Sequence, residues 1–238
     1  MELPATYRRA LVVFAHPDDA EFGMAGTVAR LVEHGLEVIY VQVTDGSKGT
    51  SDPNVPPHEI AAIRAAEQRE AACVLGVREV VFLGYEDGLL EVSLDLRRAI
   101  VAEIRRWKPD IVICQHPARI WGTGSIFINH PDHIACGEAT LAAVYPSARD
   151  HLVFPDLLQQ GLEPHKVREV WLVTMREADF FVDVTPTVEK KIAALLCHHS
   201  QVGGRGPELA EMIKKRLRER AEGTGYEYAE GFSRIKIG

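Results

Sequence analysis

Hydrophobic positions along the chain form short continuous runs that alternate with longer stretches of helical spacing. The runs predict buried strands at 10–15, 36–43, 80–83, 110–114, 168–174 and 180–184. Apolar residues every three or four positions predict helices at 24–34, 58–75, 94–107, 188–198 and 207–222. Strand and helix therefore alternate through the first 145 residues. That alternation is typical of a parallel sheet with right-handed crossovers and helices on both faces.

Length and composition agree with this pattern and narrow the class of protein. The 238 residues are 46% hydrophobic, which is enough for one sizeable core, so we expect a single domain over residues 1–238. The predicted fold is α/β, a Rossmann-like three-layer sandwich whose sheet is mostly parallel, with extra C-terminal strands and helices. The net charge is −7 without a dense basic patch, so nucleic acid is not an expected partner. No segment approaches membrane-spanning length, so a membrane is not expected either.

The four cysteines point to a reducing compartment. No two of them form a Cys-x-x-Cys pair, and all lie in apolar or helical stretches: Cys73, Cys114, Cys136 and Cys197. We therefore expect buried, reduced thiols in a cytoplasmic protein.

Two clusters of polar residues follow predicted strands. Residues 15–21 are Ala-His-Pro-Asp-Asp-Ala-Glu, which places one imidazole and three carboxylates at the end of a buried run. Charged groups at such a place must be paired, solvated or bound to a metal. Residues 129–133 are Asn-His-Pro-Asp-His, and they follow the fourth predicted strand after a long loop. Because sites in parallel sheets form beyond the carboxyl ends of strands, we expect the two clusters to share one site.

Together the clusters contain the ligands of a hydrolytic metal site, which needs about three protein ligands and an open position for water. His16 and Asp19 lie three residues apart on a tight turn, and His133 could add a third ligand from the start of a helix. This donor set favours Zn²⁺, with Fe²⁺, Mn²⁺ or Ni²⁺ as alternatives. Asp18 is then free to take a proton from water and return it to a leaving amine. His130 could, as an imidazolium, stabilise the oxyanion.

Structural interpretations of the same residues stay open. An aspartate of the first cluster could simply cap a helix, and Glu21 could meet a helix N-terminus or a neighbouring cation. His130 and His133, taken alone, could be surface residues around a proline at the start of a helix. No Ser or Cys nucleophile with a partner base is apparent, so direct attack by water is the expected reaction.

The first cluster followed by Gly26, together with His-Pro-Asp-His downstream, resembles the motifs of the PIG-L/LmbE family of metal-dependent de-N-acetylases. The resemblance covers most of the chain, residues 10–202. It implies a hydrolase that cleaves a linear amide C–N bond of a small N-acetylated amino sugar. N-acetylglucosaminyl-malate and N-acetylglucosaminyl-inositol are examples of such substrates in this family.

The resemblance also implies roles for individual residues. It implies that the zinc ligands are His16, Asp19 and His133. It also implies that Asp18 is the general base and that His130 stabilises the tetrahedral intermediate. It adds Arg64 as a grip on substrate hydroxyls, a phosphate or a carboxylate, Asp87 as a partner of sugar hydroxyls, and His198 as a residue near the pocket. Each of the three also has a structural alternative. Arg64 could form a solvated salt bridge, Asp87 could be a turn residue, and His198 could interact with a helix dipole.

Some features leave the substrate open. Ile128 stands where some relatives carry a tyrosine, so the sequence provides no tyrosine to assist at the carbonyl. The loop 115–129 is expected to shape the leaving-group side. The segment 146–166 is expected to cover the mouth of the site or to support a partner chain, and a homo-oligomer is compatible with the sequence.

Two alternative functions remain. One is a metal-dependent amidase that acts on a thiol conjugate or another amide. The other is a non-catalytic Rossmann-like module that binds a sugar or a nucleotide. No Gly-x-Gly-x-x-Gly follows the first strand, which disfavours the module.

Overall fold

A seven-stranded sheet with helices on both faces forms the centre of the computed structural model, which describes residues 3–119, 128–174 and 178–237. The strands are β1 (Arg9–Phe14), β2 (Glu37–Thr44), β3 (Glu79–Tyr85), β4 (Ile111–Gln115), β5 (Glu169–Val173), β6 (Phe180–Asp183) and β7 (Ala229–Lys236). The helices are α1 (Asp19–Gly23), α2 (Ala25–Glu33), α3 (Pro57–Leu75), α4 (Leu94–Trp107), α5 (Pro131–Val144), α6 (Asp156–Gln159), α7 (Val188–Leu196), α8 (His199–Val202) and α9 (Gly206–Ala221). The predicted fold class is confirmed.

The sheet is mostly parallel, in the spatial order β3-β2-β1-β4-β5-β7-β6. Strands β1 to β5 pair in parallel, whereas β7 runs antiparallel to both β5 and β6. The sequence patterns predicted β5 and β6 and missed β7. Strand β7 returns from the end of the chain and lies between them.

The helices on the two faces of the sheet bury separate apolar clusters. Val12 and Phe14 of β1 pack with residues of α2, α3 and α7, while Leu11 and Val13 pack with residues of α4 and α5. Because both faces are covered, β1 is apolar at every buried position instead of alternating with polar residues. This explains why a continuous apolar run identified the strand.

The topology creates a crevice at the carboxyl ends of β1 and β4. The chain leaves β1 toward helices on one face and leaves β4 toward α5 on the other. Ligand sites in open α/β sheets form where successive connections diverge in this way. Both polar clusters of the sequence lie at this crevice.

Three smaller features bear on the expectations from sequence. Three of the cysteines are buried, but Cys73 on α3 is exposed, so the expectation of buried thiols is wrong for that residue. The segment 146–166 packs on α4, where Arg105 donates to four backbone carbonyls between Ser147 and Val153. No helix in the described ranges is both long and apolar enough to span a membrane.

Candidate active site

A tight turn after β1 carries the first polar cluster into the crevice. Asp18 has a φ of 84°, in the left-handed region, and α1 begins at the next residue. Such a conformation costs a non-glycine residue roughly 1–3 kcal/mol and persists only where the surroundings hold it. The backbone N–H of Asp18 donates to Gln68 Oε1 at 3.1 Å, and that of His16 donates to Asp19 Oδ2 at 2.7 Å. These bonds close the turn and bring the His16 and Asp19 side chains to one side.

Ligand atoms of three side chains converge beside this turn. His16 Nδ1 lies 3.2 Å from His133 Nε2 and 3.3 Å from Asp19 Oδ2, and His133 Nε2 lies 3.1 Å from Asp19 Oδ1. Ligand atoms bound tetrahedrally at about 2.0–2.2 Å from one ion lie about 3.3 Å apart. Two imidazole nitrogens at this distance also need a proton or a cation between them. The residues present therefore fit a divalent metal ion.

The charges around His16 favour a cation. Its Nε2 lies 3.0 Å from Asp132 Oδ2 and 3.1 Å from Asp87 Oδ1. Burial lowers the pKa of His16, but hydrogen bonds with Asp19 and Asp87 outweigh burial and raise that pKa to about 10. Burial likewise opposes the charge of Asp19, yet His133 and His16 hold the pKa of Asp19 far below its ordinary value. Positive charge is thus stabilised at this place.

Asp132 is a buried carboxylate to which the sequence analysis assigned no role. It accepts the backbone N–H groups of Gly88 at 2.7 Å and Leu90 at 3.3 Å while facing His16 Nε2. A carboxylate in this position orients a ligating histidine and determines its tautomer. The signal in the sequence is its place between the two histidines of the second cluster.

Gln115, the last residue of β4, is a second side chain that sequence reasoning missed. Its Oε1 accepts the backbone N–H of Ala15 at 3.0 Å, and its Nε2 donates to Asp19 Oδ2 at 3.0 Å. Gln115 therefore ties the end of β1 to a candidate metal ligand.

Asp18 lies beside the ligand atoms in a largely enclosed position. Its side chain is 16% exposed, and its Oδ2 lies 3.4 Å from Arg64 Nη2. Burial, reinforced by the charge of Asp19, raises the pKa of Asp18 to about 7 despite the Arg64 guanidinium. A carboxyl group with a pKa near neutrality can both accept and return a proton.

His130 precedes α5 and faces the same space. Its Nδ1 accepts the backbone N–H of Asp132 at 3.1 Å, so a neutral ring carries its proton on Nε2. The ring centroid lies 4.7 Å from that of His16 and 5.3 Å from that of His133. Burial and the charge of His16 lower the pKa of His130. These contacts favour a neutral imidazole that donates from Nε2 over the imidazolium expected from the sequence.

Arg64 and Asp87 lie next to the ligand atoms, beneath the loop that follows β2. Arg64 is only 4% exposed, and its guanidinium donates to the carbonyls of Gly46 at 2.9 Å and Pro17 at 2.8 Å. Asp87 Oδ2 accepts the backbone N–H of Lys48 at 3.0 Å. In this conformation both side chains form hydrogen bonds with protein groups, and Arg64 supports the Asp18 turn.

His198 lies beneath the turn and is fully buried. Its Nε2 is 3.1 Å from Glu21 Oε2, and Glu21 is fully buried as well. Glu21 therefore meets a neighbouring histidine, in agreement with its structural interpretation. His198 supports the turn from below, in a place where a substrate does not reach it.

A cavity of about 760 Å³ extends from the ligand atoms toward the C-terminal elements. One end is lined by Asp19 and His133, and the other by residues of α9 and β7 that include Arg216 and Arg220. The volume lies within the range of small-molecule sites, about 300–1,000 Å³. The cavity thus reaches two of the candidate ligands, while Asp18, Arg64 and His130 do not belong to its lining.

The loops that were expected to shape the substrate are described in part. Residues 120–127 of the loop 115–129 lie outside the described residues, while His116 and Asn129 at its two ends line the cavity. Among the described residues, those of the segment 146–166 do not belong to the cavity lining.

The family of the chain follows from sequence comparison. The sequence profile described as PIG-L: GlcNAc-PI de-N-acetylase matches residues 11–144, a range that includes both polar clusters. The chain belongs to this de-N-acetylase family. As a PIG-L family member it is a hydrolase that acts on an amide C–N bond.

Known relatives of this PIG-L protein are named as deacetylases. Diacetylchitobiose deacetylase of Thermococcus kodakarensis is 33% identical over 229 residues, which cover 94% of this chain and 82% of the relative. Probable N-acetyl-alpha-D-glucosaminyl L-malate deacetylase 2 of Bacillus anthracis is 29% identical, with 90% of this chain and 91% of the relative covered. The solved structure of N,N'-diacetylchitobiose deacetylase from Pyrococcus horikoshii superposes with a TM-score of 0.89 at 31% identity, covering 97% of this chain and 85% of that one.

Proposed function

We propose that this PIG-L protein removes the acetyl group from an N-acetylglucosamine derivative with the help of a divalent metal ion. The main support for this proposal is that His16, Asp19 and His133 converge on one point. Asp18 and His130 lie beside that point. Relatives at 29–33% identity are named as deacetylases of N-acetylglucosamine compounds, which supports the substrate class. We propose Zn²⁺ as the ion, because two histidines and one carboxylate are typical of catalytic zinc sites.

The bound metal would supply a water of lowered pKa and a polarised carbonyl. Asp18 takes one proton from the attacking water as the C–O bond forms, and returns it to the nitrogen as the C–N bond breaks. A carboxyl group whose pKa is raised to about 7 suits both transfers. His130 donates its Nε2–H to the carbonyl oxygen that becomes negative. The products are acetate and a free amine.

Recognition of the sugar is proposed for Arg64 and Asp87. Arg64 lies against the Asp18 turn and Asp87 against His16, so sugar hydroxyls would reach them beside the candidate ligands. His198 is not proposed to touch the substrate because it is fully buried against Glu21. The single domain, the cytoplasmic location and the homo-oligomer stay predictions from the sequence.

The test combines product analysis with a substitution at the proposed base. We expect acetate and amine to appear in equal amounts from diacetylchitobiose or another N-acetylglucosamine conjugate. Asp18→Asn should lower kcat on the order of 10²- to 10⁴-fold with the metal content unchanged. The control is Asp95→Asn, on the exposed start of α4, which should keep full activity.

Three outcomes would contradict parts of this proposal. Full activity in Asp18→Asn would contradict the role of Asp18 as the general base. Turnover confined to thiol conjugates or other non-sugar amides would replace the substrate class. Absence of metal, together with tight nucleotide binding and no turnover of any amide, would favour the non-catalytic module.

Metal removal tests the ion separately. We expect a chelator to abolish acetate release and Zn²⁺ to restore it, because water activation and carbonyl polarisation both depend on the ion. Elemental analysis of the purified protein identifies the native metal. Restoration by Fe²⁺, Mn²⁺ or Ni²⁺ but not by Zn²⁺ would reject zinc while keeping the site.

A further inference from the structure

A chain of buried polar side chains runs from the Asp18 turn into the helices behind it. Gln68 on α3 is fully buried, and its Oε1 accepts the backbone N–H of Asp18 at 3.1 Å. Its Nε2 donates to both carboxylate oxygens of Glu21, each at 3.1 Å. Glu21 is held in turn by His198 Nε2 at 3.1 Å. These contacts connect the backbone of the proposed base to α3 and to the residue before α8.

The amide of Gln68 satisfies both neighbours in one orientation. Asp18 presents an N–H, which needs an acceptor, whereas the Glu21 carboxylate accepts hydrogen bonds and needs a donor. With its oxygen toward Asp18 and its NH₂ toward Glu21, Gln68 makes three hydrogen bonds. The flipped amide would place donor against donor and acceptor against acceptor. A carboxylate or an apolar side chain at this position cannot provide the same set.

Asp18 needs such support because its backbone is left-handed, with a φ of 84°. Residues without a glycine's freedom keep this conformation only where neighbouring groups hold it. Loss of the bond to Gln68 would leave the N–H of Asp18 without its acceptor and let the turn relax. The carboxylate would then move away from the line of attack by water.

We propose that Gln68, oriented by Glu21 and His198, is a positioning residue of the deacetylation. It does not touch the substrate, and it sets the place of the Asp18 carboxylate through the backbone of the turn. The proposal rests on the proposed function, since it requires Asp18 to be the general base.

Gln68→Met tests the hydrogen bonds while nearly keeping the shape of the side chain. A displaced catalytic group should lower kcat on the order of 10- to 100-fold, with KM changed by less than about twofold. The metal content should not change. The matched control is Gln42→Met, since Gln42 is also fully buried and its amide donates to the carbonyl of Thr44 and not to a group of the Asp18 turn. We expect this control to lower the unfolding midpoint and leave kcat unchanged.

An exchange of the two partners separates positioning from packing. Gln68→Glu alone places a second acceptor against Glu21, and kcat should fall as in Gln68→Met. When Gln68→Glu is combined with Glu21→Gln, the carboxylate on α3 can accept from Asp18 and from the new amide, at the same net charge. We expect the double variant to recover kcat to within about threefold of the original protein, a non-additive result typical of a direct pair.

The outcomes are distinct. An unchanged kcat in folded Gln68→Met overturns the proposal, and so does a double variant whose kcat is no higher than that of Gln68→Glu alone. If Gln68→Met is not recovered folded, the exchange decides by itself because it conserves size and charge. Activity retained in Asp18→Asn would contradict the general-base role on which the positioning proposal rests. If Asp18→Asn is inactive while Gln68→Met is fully active, only the positioning role of Gln68 is rejected.

Discussion

At the scale of single residues, His16 is the centre of the site because its two ring nitrogens have different surroundings. Nδ1 faces Asp19 and His133, while Nε2 faces the carboxylates of Asp132 and Asp87. A proton on Nε2 satisfies those carboxylates and leaves the lone pair of Nδ1 for a metal ion. The tautomer that metal binding requires is therefore determined by Asp132 and Asp87.

Asp132→Asn tests this arrangement. It removes the charge that faces His16 Nε2 and keeps the shape of the side chain, so metal affinity should fall by about 10- to 100-fold. Competition with a chromophoric chelator measures the affinity. Asp156→Asn, which loses a surface contact with Arg98 on α4, is the control and should bind metal normally. Equal affinities in the two variants would show that Asp132 does not tune the ligand.

At the scale of elements, α3 carries polar side chains on the face that it buries. The sequence analysis predicted the helix from its apolar spacing, and Ile60, Ala71 and Leu75 of that stripe are buried. On the same helix, Arg64 and Gln68 are buried too, where α3 passes the Asp18 turn. Arginine and glutamine usually lie at the surface, because a buried polar group needs hydrogen-bond partners. The Asp18 turn provides those partners, which allows both side chains to be buried here.

The loop after β2 passes so close to Arg64 that a side chain at position 49 has no room. A Cβ on Gly49 would lie 2.2 Å from Arg64 Nη1 and 2.8 Å from its Cζ. The guanidinium also donates to the carbonyl of Pro17, so a displacement would loosen the turn at Asp18. The glycine is therefore a requirement of the site.

Gly49→Ala should lower kcat/KM about tenfold or more, because a small displacement of catalytic groups has a large effect on rate. Steady-state kinetics with the best N-acetylated substrate measures it. Gly204→Ala is the control, since a Cβ added there meets nothing within 4 Å. An unchanged kcat/KM in Gly49→Ala would mean that the loop can shift without disturbing Arg64.

At the scale of the whole molecule, buried Glu169 joins the N-terminal segment, β5 and β7. It accepts hydrogen bonds from Tyr7 Oη at 3.0 Å, from Trp171 Nε1 at 2.8 Å, and from Arg234 Nε and Nη2 at 2.8 and 2.7 Å. Burial raises the pKa of Glu169, but hydrogen bonds from Arg234, Trp171 and Tyr7 outweigh it and hold that pKa below its ordinary value. The strand that the sequence patterns missed is anchored here.

Glu169 should make stability depend on pH. Because its folded-state pKa lies below the unfolded value of 4.5, its contribution is complete above that pH and is lost as the pH falls through the folded value. Glu169→Gln should lower the free energy of unfolding at pH 7 by roughly 1–3 kcal/mol, with a smaller difference in acid. Urea titrations at several pH values measure both effects. Glu37→Gln, which loses exposed contacts with Arg9 and Arg78, should change little, and an equal loss there would contradict the role of Glu169.

Local patterns were sufficient for the central strands and for the residue types of the site. The strands β1, β2 and β4 are buried on both faces, so each contains a run of four or more consecutive apolar residues. The two polar clusters follow strand ends, and the rule for sites in parallel sheets predicted that they meet. The distances between His16 and His133 agree with that prediction.

The sequence by itself thus determined the α/β class, the family and the candidate ligands, because each is indicated by patterns local to a strand, a helix or a short motif. Only the tertiary structure decided which groups surround those ligands. Asp132, Gln115 and Gln68 reach the first cluster across 116, 100 and 50 positions of sequence, and only the fold defines which groups they contact there. The place of β7 was decided in the same way, since its pairing depends on β5 and β6 and not on its own alternation. Hydrogen bonds between distant segments need the fold before their partners are defined.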